Sequence, residues 1–397
     1  MEAIKSGTEA SRTILSAITF KTVLILSVLF LVPAGRVISQ PPADEEQKLS
    51  LLFIGDIMGH DTQIRAAWDP ETKSYNYDDQ FRYVRPIIES CDFTAANLEV
   101  TLAGPPYRGY PQFSSPPALA AACMNAGIEC LFTANNHTAD RGNRGILSTI
   151  SRLDSLGIMH TGIFRDKLSA DSLQPLMINK NGISVAFLNY TYGTNGIPVP
   201  PPVVVNMLDK EKIAADIEKA GALNPDLLVL ALHWGVEYDT IPSEEQTKLA
   251  NYFFYRGADL IIGSHPHVLQ KMIWKKDNPI FRNKAIAYSL GNFVSNQRKP
   301  LTDGGSMVRI EVARRDSSVV ITDAGYYLTW VYTPVENGRR NFYILPCNEF
   351  ENKAEFFQDK NDFLQMQRFI KTSRSLLNRH NEGFRELFRK DFAGKRE

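Results

Sequence analysis

Cysteine is scarce in this chain of 397 residues: there are four, Cys91, Cys123, Cys130 and Cys347, and no two form a C-x-x-C pair. That excludes a zinc ribbon or a dithiol redox centre as the chemistry. Cys91 and Cys130 fall in apolar runs, where a buried thiol is the commoner arrangement, and Cys123 with Cys130 is the one pair an oxidising compartment could join. Net charge is also missing, because 44 Lys and Arg cancel 44 Asp and Glu. The bulk charge therefore carries no nucleic-acid or polyanion footprint. No internal repeat is visible. A standard membrane span of roughly 20 apolar residues is absent too, since the one long run, Thr22 to Val32, falls short of it. What remains, 44% hydrophobic and 22% charged residues, is an ordinary globular composition with a substantial core.

The first forty residues differ from the rest. Lys5, Arg12 and Lys21 precede the apolar run, and Val37-x-Ser39 offers modest side chains before a cut, the order of a secretory signal. An uncleaved anchor is the alternative, because Ile14 to Phe20 lengthens the apolar stretch towards a span. No cysteine follows the run to accept a lipid. Residues 1–39 are thus expected to be a signal peptide or membrane anchor and residues 40–48 a linker.

Folding is expected to begin near Leu49. Leu51-Leu52-Phe53-Ile54 is a continuous apolar run ending in Gly55-Asp56, the pattern of a buried strand whose carboxyl end presents an acid. Equivalent runs lead into Asn97-Leu98-Glu99, Asn135-Asn136-His137, Tyr190-Thr191-Tyr192, His233-Trp234-Gly235, His265-Pro266-His267 and Gly291-Asn292. Helical patterns lie between them, over 81–89, 117–126, 145–155, 210–220 and 244–256. This alternation predicts an α/β fold, by itself a doubly wound sheet, with sites beyond the carboxyl ends of its strands. The loops Ala103 to Pro117 and Ile197 to Pro202 are expected to border a pocket there. After Asn292, Met307 to Val312 and Ser318 to Thr322 read as a hairpin turning at Arg315-Asp316, followed by Tyr326 to Val335 and Phe342 to Leu345. A helix with an apolar docking stripe is expected over 362–388, broken at Gly383, with a basic end most simply solvated.

Five of the seven histidines, His60, His137, His233, His265 and His267, follow the ends of apolar runs, which core packing does not explain. In His265-Pro266-His267 the imidazoles stand two residues apart, so in extended chain both address one side, and Pro266 stiffens the spacing. Neutral imidazoles suit zinc, manganese or iron, and Asp56, Glu99 and the Asn136 amide add oxygen donors. Acids from two strands can hold one ion or bridge two, an arrangement suited to displacement at phosphorus or carbonyl carbon. Thr133 to Asp140 reads either as an Asn-rich turn with a helix cap or as a site in which Asp140 orients the His137 imidazole. His60 reads more simply as a loop residue, His160 and His380 as structural or surface residues. Trp234 and Tyr238 are candidates to wall the pocket, and Glu237 to accept from a ligand imidazole.

Six motifs occurring in order resemble those of the CapA-type capsule-synthesis proteins, associated with poly-γ-glutamate production and distantly similar to the calcineurin-like metallophosphoesterases. They are Gly55-Asp56-Ile57-Met58, Asn97-Leu98-Glu99, Ala134-Asn135-Asn136-His137-Thr138-x-Asp140, His233-Trp234-Gly235-x-Glu237-Tyr238, His265-Pro266-His267-Val268-x-Gln270 and Ser289-Leu290-Gly291-Asn292-Phe293-Val294. The resemblance covers about Leu49 to Asn296. It implies a four-layer α/β/β/α sandwich over 49–297, with 298–350 completing it as a β-rich segment and 351–397 as a C-terminal helical segment. It further implies Asp56, Glu99, Asn136, His233, His265 and His267 as ligands of one or two divalent ions (manganese, zinc or iron), with His137 protonating a leaving group and Asp140 behind it. Met58 stands where the phosphoesterases place a histidine, and Ser264 where many family members have one. The bridging acid of the phosphoesterases falls in the neighbourhood of Asn97 and Glu99.

Two functions follow as expectations. One is a metal-dependent hydrolase acting on a phosphoester or γ-glutamyl amide bond. The other is a non-catalytic assembly or export factor for an anionic surface polymer or its precursor, working with a membrane-bound polymer synthase. Both imply an exported protein of the cell envelope, periplasmic or anchored outside the cytoplasm, and neither implies nucleic acid. If the leader is cleaved, N-terminal sequencing of the mature protein begins near Gln40; a membrane-bound chain retaining Met1 would favour the anchor.

Overall fold

The structure, a computed structural model, describes residues 47–278, 283–336 and 338–388, so the expected leader lies outside the described residues. The chain enters as β1 (Lys48–Ile57) and continues through β2 (Phe93–Leu98), β3 (Cys130–Phe132) and β4 (Met159–Thr161), each parallel to its neighbour. It then builds a second sheet from β5 (Leu176–Lys180), β6 (Ile183–Thr191), β7 (Leu227–His233), β8 (Leu260–Ser264), β9 (Met272–Trp274) and β10 (Ala285–Ala287). Finally it returns to the first sheet as β11 (Asn292–Val294) beside β1, then β12 (Gly304–Arg315), β13 (Ser318–Tyr332) and β14 (Tyr343–Pro346). The first sheet runs β14-β13-β12-β1-β2-β3-β4 and the second β9-β10-β8-β7-β6-β5.

Side-chain alternation explains why both sheets are covered on both faces. From β1, Leu49, Leu51 and Phe53 enter the core between the sheets, while Leu52 and Ile54 face helices. From β6 and β7, Val185, Phe187, Val229 and Ala231 meet them from the other side, while Leu188, Leu228 and Leu230 face outward to a helical layer. Phe93 and Phe187 lock the two sheets together with ring centroids 5.4 Å apart. Full burial of such a side chain contributes about 1.5–3 kcal/mol. Outside the first sheet lie α1 (Ala118–Asn125) and α2 (Gly142–Leu156), and outside the second α3 (Lys210–Gly221) and α4 (Glu244–Arg256). The order helix, sheet, sheet, helix is the expected four-layer sandwich. The single doubly wound sheet that alternation alone suggests is not formed, because one strand, Phe187's β6, has to cover the inner face of another sheet rather than extend it.

Local expectations hold with adjustments. The hairpin at Arg315-Asp316 forms, but Ser318 to Thr322 and Tyr326 to Tyr332 belong to one long strand, β13, carried past a register shift opposite Glu311 and Val312, and Val335 falls in a separate two-residue strand, Val335–Glu336. The helix expected over 362–388 is α5 (Lys360–His380), capped by Asp359, and Gly383 lies beyond its end with φ 76°. In place of a helix over 81–89 there is a 3-10 turn, Asp78–Phe81, and one short helix, Arg85–Ile88. All four cysteines are free and buried, so Cys123 and Cys130 are not joined.

Gly55 sets the position of Asp56. The register of β1 on β2 shifts between Ile54 and Asp56, and Asp56 N–H donates to Gly291 O at 3.0 Å. A Cβ on Gly55 would stand 2.2 Å from that same backbone oxygen. Gly55→Ala should therefore destabilise by ~1–3 kcal/mol, the usual cost of overpacking a tight site. Gly221→Ala, exposed at a helix end with nothing within 4 Å, should leave stability level or slightly higher. Urea unfolding of the two variants tests the contrast, and equal midpoints would refute it.

Candidate metal centre

The carboxyl ends of the two sheets meet, and the polar strand ends meet with them. Asp56 lies in register with Asn97 and Asn292 across the first sheet, and His233 with Ser264 across the second. Of the eight candidate residues, Asp56, Glu99, Asn136, His137, Asp140, His233, His265 and His267 are all buried. The structure brings all of them to one place.

Glu99, one residue past β2, stands at the centre. Its Oε1 is 3.5 Å from His233 Nε2 and 3.7 Å from His267 Nε2. Two groups of donor atoms converge on it, Asp56 with Glu99 and His233, and Glu99 with His265 and His267, each within 4.8 Å. The amide of Asn97 ties the set by donating to Asp56 Oδ1 at 2.8 Å and Glu99 Oε2 at 3.4 Å. His233 Nε2 lies 2.9 Å from Asn136 Oδ1, with Ser264 Oγ 2.9 Å from its Nδ1. His267 Nδ1 lies 3.0 Å from both Asp56 Oδ2 and Asn292 Oδ1. Both those oxygens are acceptors, so Nδ1 carries a proton, and Nε2 faces Glu99.

His265 and His267 bracket Pro266 in a backbone with positive φ at both histidines, 98° and 60°. The pair is therefore not extended as the spacing suggests; two left-handed residues turn the chain so that the rings stand 6.0 Å apart. His265 packs 4.8 Å from the His233 ring and 4.5 Å from Tyr192.

Burial sets the electrostatics. Desolvation, then the Asp56 charge, pushes the Glu99 carboxyl well above the usual carboxylate range. Desolvation, then neighbouring imidazoles, pulls His233 well down, and burial with His267 beside it takes His265 down to about 3. His233 and His265 are thus neutral and offer lone pairs. Glu99 Oε1 and His265 Nδ1 are buried with no hydrogen-bond partner, and among the described residues no Lys or Arg pairs with Asp56 or Glu99. Two buried acids facing imidazole nitrogens, with no Lys or Arg partner among the described residues, fit a divalent cation. A mixed nitrogen and oxygen donor set suits manganese, iron or zinc.

His137 faces a different surface. Its Nδ1 lies 2.8 Å from Asp140 Oδ2, which also accepts the Phe113 backbone N–H at 2.7 Å. No helix starts at Asn136. Consecutive turns from Asn135 to Gly142 place residue i+3 beside residue i, and α2 begins only at Gly142. Phe113 stacks edge-on at 4.6 Å from the imidazole. His137, Asp140 and Asn136 open on a cavity of ≈ 460 Å³ bordered by Tyr110 and Ile197, from the two loops expected to border a pocket, and by Asn195 just before the second.

His60 keeps its expected place, whereas Trp234 and Glu237 do not. His60 caps the helix Asp61–Ala67, bonding Gln63 and the Asn296 N–H, as a loop residue would. Trp234 turns away into the core under α3 and α4, donating to Tyr288 O. Glu237 is exposed at the cavity mouth, and the oxygens facing the imidazoles belong to Asp56, Asn292, Asn136 and Ser264 instead. Asn97, Asn292, Ser264 and Phe113 were not assigned roles from sequence. The first three stand in or beside strand-end motifs, which was the available signal; for Phe113 it was only its place in the loop Ala103 to Pro117.

Fold and site together define a four-layer α/β protein with a buried acid and imidazole cluster of metal-binding type. Residues 50–297 match the family of the bacterial capsule synthesis protein PGA_cap, and the chain belongs to that family. Capsule biosynthesis protein CapA of Bacillus anthracis is 30% identical over 298 residues, covering 70% of this chain and 67% of that protein. PGA biosynthesis protein CapA of Bacillus subtilis (strain 168) is 29% identical over 286 residues, covering 67% and 68%. Among solved structures, the NAD nucleotidase of Haemophilus influenzae superposes with TM-score 0.43 at 15% identity, over 83% of this chain and 61% of that one. A calcineurin-like phosphoesterase of Bacillus subtilis gives 0.42 at 13% identity, over 81% and 99%.

If Glu99 is the shared donor, manganese at ~100 times its Kd should add about 2.7 kcal/mol of stability. In Glu99→Gln that gain should vanish, which thermal unfolding with and without metal measures. An equal gain in both proteins would remove Glu99 from the site.

Proposed function

We propose that the protein is a metal-dependent hydrolase or transferase of the cell envelope, acting on a phosphoester or γ-glutamyl amide bond of a surface polymer of the capsule or poly-γ-glutamate type. The reading is carried by one observation: the buried His137–Asp140 dyad opens on the same cavity as Asn136, whose amide oxygen touches His233 in the ligand cluster. A binding site for metal alone has no use for an oriented imidazole on its open side.

Asp56, Glu99, Asn136, His233, His265 and His267 would hold one or two ions. A bound ion polarises the scissile group and makes water a nucleophile at neutral pH. The chain's own residues do the rest. Asp140 accepts from His137 Nδ1–H and so orients the ring, and Nε2, when it too carries a proton, hands that proton to the departing oxygen or nitrogen. Phe113 holds the imidazole edge-on and excludes water from one side of it. Tyr110 and Asn195 shape the entrance. The capsule and PGA biosynthesis proteins among the relatives support a polymer substrate, and the leader pattern in residues 1–39 supports the envelope.

His137→Ala should keep its metal and lower the hydrolytic rate by roughly 10²–10⁴-fold, the worth of a positioned proton donor. His265→Ala should lose metal and activity together. Elemental analysis alongside assays on phosphoesters and γ-glutamyl peptides reads both. Loss of metal in His137→Ala would overturn its role, and a capsule phenotype indifferent to both changes would favour a non-catalytic assembly factor.

A further inference from the structure

A net charge of zero conceals a local gathering of cations. A second cavity, ≈ 830 Å³, lies between the segment 298–303, the segment following β13 and the first turns of α5. Arg298, Lys299, Arg340 and Arg368 line it, and among the described residues none of the four is in an ion pair. Arg298 gives one N–H to Val331 O at 3.1 Å. Its side chain is exposed in area yet surrounded by protein, as a group standing in a cavity is, and that crowding draws the guanidinium down to about 10. Three acids share the lining, but two have local duties: Asp303 accepts from the Trp330 indole at 2.8 Å, and Asp359 caps α5 by accepting from Asn361 N–H at 2.8 Å.

This cavity shares a wall with the metal centre. Asn292, whose Oδ1 touches His267, donates from its amide nitrogen to Thr302 O at 2.8 Å and Gln297 Oε1 at 3.1 Å, so one loop braces both. At the rim, Lys299 Nζ sits 4.0 Å above the Tyr238 ring, and that ring is 6.3 Å from His267.

We propose that this cavity binds an extended polycarboxylate segment, held by Arg298, Arg340 and Arg368, whose chain passes Lys299 and Tyr238 towards the metal centre. The proposal rests on the polymer reading given above and names where the polymer is gripped. Guanidinium forks match carboxylates in a planar two-point geometry. Several cations spread over a cavity of this size suit a ligand with charges spaced along a chain. The three acids among them keep the field weakly positive, which favours spaced single charges over the dense charge of a polyphosphate.

The test uses the full-length, metal-loaded protein and fluorescein-labelled oligo-γ-glutamate, with binding read by anisotropy at several salt concentrations. Arg340→Ala combined with Arg368→Ala, both exposed side chains, should weaken binding roughly tenfold or more and flatten its salt dependence. Metal content, melting temperature and turnover of a small phosphoester or γ-glutamyl anilide should stay at wild-type values. Arg340→Lys should recover part of the affinity. His137→Ala should bind the oligomer as the wild type does, so a failed catalytic reading and a failed binding site give different results: oligomer binding that needs the two arginines in a protein without hydrolytic activity supports the site alone. Unchanged binding in the double variant overturns the proposal, and so does a polyphosphate probe that binds more tightly than oligo-γ-glutamate.

Discussion

Asp56 and Glu99 are buried where two sheets meet, with no lysine or arginine paired to them among the described residues, and much of the surrounding architecture answers that constraint. A carboxylate taken out of water is stable only if hydrogen-bonded, protonated or paired with a cation. Asn97 supplies hydrogen bonds to both acids, Glu99 is pushed towards its protonated form, and burial keeps His233 and His265 neutral. Each of these is a partial answer. A divalent ion answers all at once, which is why the donors can crowd so closely without a positive side chain among them.

The parts of this arrangement that were legible in the sequence are those that depend on a single strand. Continuous apolar runs ending in Asp56, His233 or His265-Pro266-His267 mark strand ends, and parallel strands bring their ends to one edge. What was not legible depends on apposition. Glu99 looks like an ordinary acid after a strand until β7 and β8 of the other sheet bring His233 and His265 over it. Ser264, which seemed only a missing histidine, holds the His233 ring. Trp234 next to His233 looked like a pocket wall but alternates into the opposite face, as neighbouring strand residues must. Two sheets instead of one could be foreseen from the family motifs and not from alternation, because each strand run reads the same whichever sheet it joins.

The two cavities divide the charge of the protein in a useful way. The metal centre gathers acids and neutral imidazoles, whereas the larger cavity gathers guanidinium groups. Their common wall, the loop after β11, is fixed at one end by Asn292 and at the other by Asp303 on Trp330. A loop held at both ends keeps two sites of opposite sign in a constant relation, so a long ligand meeting both needs no rearrangement of the scaffold between them.

The pairing of β1 has a further bearing, on the order in which the molecule can be completed. Leu51 is bonded on one side to the β2 residue Phe93, early in the chain, and on the other to Ile310, which is made only after the whole second sheet. During synthesis the central strand therefore waits with one hydrogen-bonding edge open. Contacts so remote in sequence form slowly, and no early portion of the chain contains both halves of the ligand set. The first sheet is therefore complete only once the last strands have been made and have paired with β1 and with one another.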